Sequence, residues 1–168
     1  HILWTNERST LCRRGFLYMQ PDTNRSQADN EAMLQEVVQN TELGKNTLEE
    51  IMGLTHDQAL KDEMMRQRNA YRRLNQKAHT ALDAIGCEAK GQSAAARMGV
   101  SMGIRTRTML DKSTRNLATM LAEGSGQGVM DCKRAESDYP LASPGAHRLM
   151  QELCDFQTRA EQTWRSFI

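Results

Sequence analysis

Aromatic side chains are scarce in this chain: three Phe, three Tyr and two Trp among 168 residues. Proline occurs three times, and runs of β-branched residues are missing. Sheets are built from β-branched and aromatic residues, so these shortages argue against a β fold. No stretch is apolar for long enough to cross a bilayer as a helix. The formal net charge of +1 carries no excess of one sign that would attract nucleic acid. The four cysteines, Cys12, Cys87, Cys132 and Cys154, form no C-x-x-C pair. They are expected as reduced thiols of a cytoplasmic protein, filling core or surface positions. No Glu-x-x-His occurs anywhere. What the chain has in quantity is methionine, eleven residues of it, and helix-forming polar residues. It reads as all-α, and its length is enough to bury a core without staples.

The stretch around which the rest is organised is 111–129, DKSTRNLATMLAEGSGQGV. Leu117, Met120, Leu121, Gly124, Gly128 and Asp131 or Cys132 recur at a helical period. Gly124, Gly126 and Gly128 would each cost about 1 kcal/mol relative to Ala within a helix. The stripe keeps its phase across them, so a continuous helix is expected. Gly124 and Gly128 then share a face and form a notch against which another backbone can pack closely.

Residues 1–25 read as an irregular N-terminal arm, and 26–168 as a helical-bundle domain. Met19 is a candidate initiator. Arg13-Arg14-Gly15 just upstream of it matches what a purine-rich ribosome-binding site gives when translated in frame. On that expectation the segment before Met19 is not native; the alternative is a short natural arm that packs on the bundle. The first helix is expected from Ser26 to about Met52, with Leu34, Val37, Val38, Thr41, Gly44, Leu48, Ile51 and Met52 inward. Gly44 is expected to meet the Gly124 and Gly128 notch, and Gly53 to stop the helix.

Thr55 with Gln58 has the form of a capping box for the second helix. Leu60, Met64, Gln67, Tyr71, Leu74, Ala78, Ala81 and Ile85 form its seam. Its other face carries Arg66, Arg72, Arg73 and Lys77 and reads as solvated surface. Ser93 starts a short amphipathic helix reaching about Leu110, which carries the chain from the second long helix to the third. Its exposed Met and Leu residues are candidate contact surfaces, and a basic Met-rich helix could also touch a membrane surface. The central helix ends at Tyr139-Pro140. The last begins at Ser143-Pro144, a favoured start, and its stripe is Ala146, Leu149, Met150, Leu153, Phe156, Ala160, Trp164 and Phe167. Its aromatic end, Trp164 and Phe167, is a second candidate contact surface.

Asp111-Lys112-Ser113, followed by Ala118, Met120, Leu121, Gly124, Ser125 and Gly128, resembles a motif in a group of uncharacterised bacterial ferritin-like proteins. There it reads roughly D-K-S, then A-E-M-x-I-Q-G-S-x-x-G. Asn40 to Leu48, with Gly44 inside, is similar to that group's first-helix pattern, and Arg66-Gln67 with Tyr71 to its second. The likeness spans about 40–168. Thr119 stands where the pattern has Glu, and Glu123 where it has Gln. The resemblance implies a ferritin-like four-helix bundle with a crossover helix, and it brings no assigned reaction.

A di-iron site in such a bundle needs inward carboxylates on two helices and Glu-x-x-His on two others. The sequence supplies neither, with Glu123 and Asp131 the nearest carboxylates. No catalytic, cofactor-binding or metal-ligating residues are therefore assigned. Gly124-Ser-Gly-Gln-Gly lacks the Lys-Ser/Thr and the preceding strand of a phosphate loop. Gln67, Tyr71 and Cys132 are polar residues on the inner seam. Gln67 and Tyr71 are expected either to hydrogen-bond between helices or to line a small cavity, and Cys132 to be a buried inert thiol. The functional expectation is a non-enzymatic bundle that acts through self-association or binding another protein. The alternative is a metal or redox protein with altered ligands.

Overall fold

A computed structural model of the chain describes residues 21–168. The expectations for Met19 and for the arm up to residue 20 lie outside the described residues. Five helices follow in order: α1 (Pro21–Met52), α2 (Gln58–Ala84), α3 (Ala94–Thr108), α4 (Thr114–Asp138) and α5 (Pro144–Arg165). No strand occurs among the described residues, so the chain is all-α there.

Residues 21–25, expected to belong to the arm, are instead the first turn of α1. Proline is tolerated in a first turn because the backbone N–H it lacks has no partner there anyway. The capping expectations hold in kind and shift in detail. Asp57, rather than Thr55, caps α2: its carboxylate accepts from the Leu60 N–H at 3.0 Å. Thr55 instead accepts from the Asp57 N–H. Ser93, Ser113 and Ser143 cap α3, α4 and α5 with the same hydroxyl-to-amide bond. Among the described residues only Gly86 adopts positive φ, at 73°, as it ends α2. Gly53 follows α1 without taking the left-handed conformation expected of a stop signal.

The long helices pair in a fixed sense. Asn75 of α2 reaches Thr41 and Val38 of α1, while Tyr71 lies against Gly44. Position rises along α2 as it falls along α1, so the two run antiparallel. Cys132 and Gly126 of α4 meet Gln157 and Glu161 of α5 in the same opposed sense. Ser26 bonds to Leu141 just past the end of α4, and Asn40 bonds to Gly128, so α4 also opposes α1. The order is therefore up-down-down-up, and the chain must return from the end of α2 to the start of α4. Residues 88–105 make that return alongside α1: Gln35 contacts Glu88 and Lys90, Glu42 contacts Gln92, and Glu50 contacts Ser101.

One apolar core runs between these helices, including Leu34, Val37, Leu60, Met64, Leu117, Met150, Leu153 and Trp164. Trp164 is almost fully buried, which removes it from the contact surface expected at the C-terminal end; Phe167 is half-buried against it. At the end of α2 the expected seam fails at Ile85, which is exposed, while Leu82 is fully buried and Ala81 is partly buried against the core. A strict alternation of four and three drifts against 3.6 residues per turn, and the error accumulates by the last turn. Among the described residues no helix is long and apolar enough to cross a membrane.

Candidate functional site

The middle of the helix array is polar. α4 runs unbroken through Gly124, Gly126 and Gly128, so this segment is a rod rather than a hinge. Gly128 is buried, and a Cβ added there would lie 2.2 Å from Gln157 Nε2. One at Gly44 would lie 2.4 Å from Tyr71 Cζ. The two glycines thus make room for polar side chains from neighbouring helices. Gly124 does not share this role: it is exposed and has nothing within 4 Å of an added Cβ. After Leu121 the inner stripe continues at Ser125, not Gly124. The expected three-glycine notch therefore divides into two close contacts and one open position.

The side chains admitted by the glycines form a network. Asn40 Nδ2 points to the Gly128 carbonyl at 3.4 Å and to Cys132 Sγ at 3.6 Å. The Cys132 thiol donates to Gln157 Oε1 at 3.4 Å. Gln157 Nε2 donates to Asn40 Oδ1 at 2.7 Å and to the Tyr71 hydroxyl at 3.2 Å. The Tyr71 ring is held edge-on against Phe156, with centroids 4.9 Å apart. Burial pushes the Tyr71 hydroxyl up to about 12 and the Cys132 thiol up to about 12. Both stay protonated at neutral pH, because charging either would strip water from an ion with no compensating cation. Gln67 lies one turn before Tyr71 on α2, is also buried, and donates through Nε2 to Glu63.

Carboxylates stay at the edges. Glu123 is exposed and pairs with Arg107. Asp131 is half-buried, pairs with Arg134 at 2.9 Å and accepts from Gln127. Glu36 sits one turn before Asn40; burial raises its pKa, Arg134 opposes that rise, and Asp131 and Asp138 add to it. Among the described residues no cluster of three or more His, Cys, Asp or Glu is placed to hold a metal ion. Cys132, buried, and Cys154, half-buried, are free thiols.

Asn40, Gly44, Gln67, Tyr71, Gly124, Gly128 and Gln157 all line one cavity of about 240 Å³ between α1, α2, α4 and α5. The sequence reading singled out five of these seven. It missed Asn40 and Gln157. Gln157 is a polar residue one position past Phe156 on the expected stripe, and its only signal was that spacing. A second feature lies on the outside. α3 buries Ile104 and Thr108 but leaves Met98 and Met102 exposed, at 67% and 65%, and Met109 and Leu110, just past its end, are exposed at 73% and 97%. An open groove of about 750 Å³ separates Met98 and Met102 from Leu43 and Glu50 of α1. On α2, Arg66, Arg72, Arg73 and Lys77 are exposed, and Arg66 and Lys77 pair with Glu63 and Glu152.

Compared with known proteins, the chain matches no family model, no curated protein and no solved structure.

Proposed function

We propose that this chain is a ferritin-like four-helix bundle without a catalytic centre, which acts through self-association or by binding another protein. The single observation that carries this reading is the chemistry at its middle. The up-down-down-up order is the arrangement in which bundles with one long crossover place inward carboxylates and histidines on facing helices. Here the facing positions hold Asn40, Tyr71, Cys132 and Gln157, bonded to one another. Amides are weak ligands, and burial raises the pKa of the phenol and the thiol, which opposes the deprotonated forms that ligate. The layer supplies hydrogen bonds between helices instead of charge for a cation.

Binding is assigned to α3. Its exposed Met98 and Met102, with Met109 and Leu110 just past its end, form an adaptable apolar surface. Exposed Arg97 and Arg105 flank that surface and would select a partner face with acidic groups at its rim. The competing reading, a metal or redox protein with altered ligands, draws on Tyr71 and Cys132, whose side-chain atoms ligate metals when deprotonated. Elemental analysis of protein purified without chelator separates the two. The proposal expects far less than one metal per chain; stoichiometric iron, manganese or zinc would favour the competitor.

A further inference from the structure

The central cavity has one feature that the packing of the helices does not require. Gln67 is 4% exposed, and its Oε1 is buried with no hydrogen-bond partner among the described residues. The amide cannot be turned round to cure this. Nε2 is committed to Glu63 Oε1 at 3.0 Å, and a carboxylate only accepts. A buried carbonyl oxygen left without a donor is costly, and native structures seldom leave one so. Gln67 is among the residues that line the cavity.

Tyr71, one turn on along the same face of α2, offers the complementary group. Its hydroxyl oxygen accepts from Gln157 Nε2, which leaves its own proton to donate. Burial keeps that proton in place at neutral pH. The remainder of the lining is largely apolar, with Leu48, Val100, Met120, Leu121 and Trp164. It contains no Lys, Arg or His, and its one carboxylate, Asp131, is already paired with Arg134. An anion would find no counter-charge there, and a cation would find one already taken. At the rim, exposed Gly124 and Gln127 border the cavity. The open space beside Gly124 keeps the mouth clear, which gives that glycine a role other than packing.

We propose that this cavity binds a small uncharged molecule with an apolar body and one group that both donates and accepts a hydrogen bond, a hydroxyl or an amide. Its donor meets Gln67 Oε1 and its acceptor meets the Tyr71 hydroxyl. The volume is that of about eight liquid waters, which limits the ligand to something well below drug size. The inference rests on the neutral middle described above, yet it is read separately from metal content, on the full chain after chelator treatment.

The test is a pair of protein-detected NMR titrations with phenol and with toluene, which differ by a hydroxyl for a methyl. The expected result is saturable binding of phenol to resonances around the cavity, with toluene at least about tenfold weaker. Gln67→Met removes the orphan acceptor and should erase that preference; if it fails to fold, Tyr71→Phe serves instead. Gly124→Leu should block the mouth and weaken phenol binding about tenfold or more while leaving the thermal unfolding midpoint at or above that of the parent. The proposal is overturned if phenol shows no saturable binding, as for a cavity that holds only water. It is also overturned if toluene binds as well as phenol, or if Gly124→Leu leaves phenol affinity unchanged.

Discussion

Replacing each central glycine by alanine separates a glycine that makes room from one that merely sits in a helix. In an exposed helix interior Gly→Ala gains about 1 kcal/mol from propensity. Gly124 is exposed with open space at its Cβ, so Gly124→Ala should gain that amount in full. Gly128→Ala gains the same propensity and then collides with Gln157 at 2.2 Å. A long side chain could usually swing away, but Gln157 is buried and tied to Asn40, Tyr71 and Cys132. Overpacking costs about 1–3 kcal/mol, and displaced buried hydrogen bonds add about 1 kcal/mol or more. After the propensity gain the net loss is about 1–3 kcal/mol. Gly44→Ala should lose a similar amount, because the Tyr71 ring is fixed against Phe156 and cannot retreat. Urea unfolding followed by circular dichroism reads all three, with the slope as a check on two-state behaviour. The reasoning is refuted if Gly128→Ala and Gly44→Ala are as stable as Gly124→Ala, since the contacts would then be yielding ones.

Alkaline pH should loosen the middle before it unfolds the rest. Cys132 and Tyr71 keep their protons in the folded chain up to about 12, against ordinary values of 9.0 and 10.0. Between these limits the unfolded chain releases protons that the folded chain retains, so stability falls as pH rises from about 9 toward 12. Cys132→Ala should remove the portion that begins near 9; tyrosinate absorbance should show one residue ionising last. On the acid side, the bond from the Leu60 N–H, with help from Thr114, holds the Asp57 carboxyl below its usual range. Its contribution is present at neutral pH and disappears as pH falls through that lowered value. Asp57→Asn should therefore flatten the acid limb of a stability–pH curve. Met98→Glu with Met102→Glu should leave the unfolding midpoint within a few degrees and lower the molar mass or partner affinity of a chain that associates through α3. Light scattering across a range of concentrations checks the mass.

How far the sequence carried the fold depends on which signal each element had. α2 and α5 were legible because their apolar residues recur at helical spacing and Thr55 and Ser143 mark their starts, although Asp57 makes the cap of α2. The unbroken course of α4 could be read from the stripe, whose phase survives three glycines. The partners of those glycines could not be read, because a glycine's neighbours come from another part of the chain. The bond from Asn40 to Gln157 spans 117 positions, and no local pattern encodes it. Gln67 and Tyr71 were visible as polar interruptions of an apolar seam. Gln157, a buried amide beside Phe156, looked like ordinary helix surface. α1 starts earlier than the expected Ser26 because proline, which interrupts a helix interior, is a favoured residue in a first turn.

The most direct test of the account is the metal content of the purified chain, set against protein concentration from amino-acid analysis. Asn40, Tyr71, Cys132 and Gln157 satisfy one another without charge, so iron, manganese and zinc should each fall far below one per chain, even after growth in metal-supplemented medium. One or two tightly held ions per chain, lost together with the Tyr71 or Cys132 side chain, would contradict it.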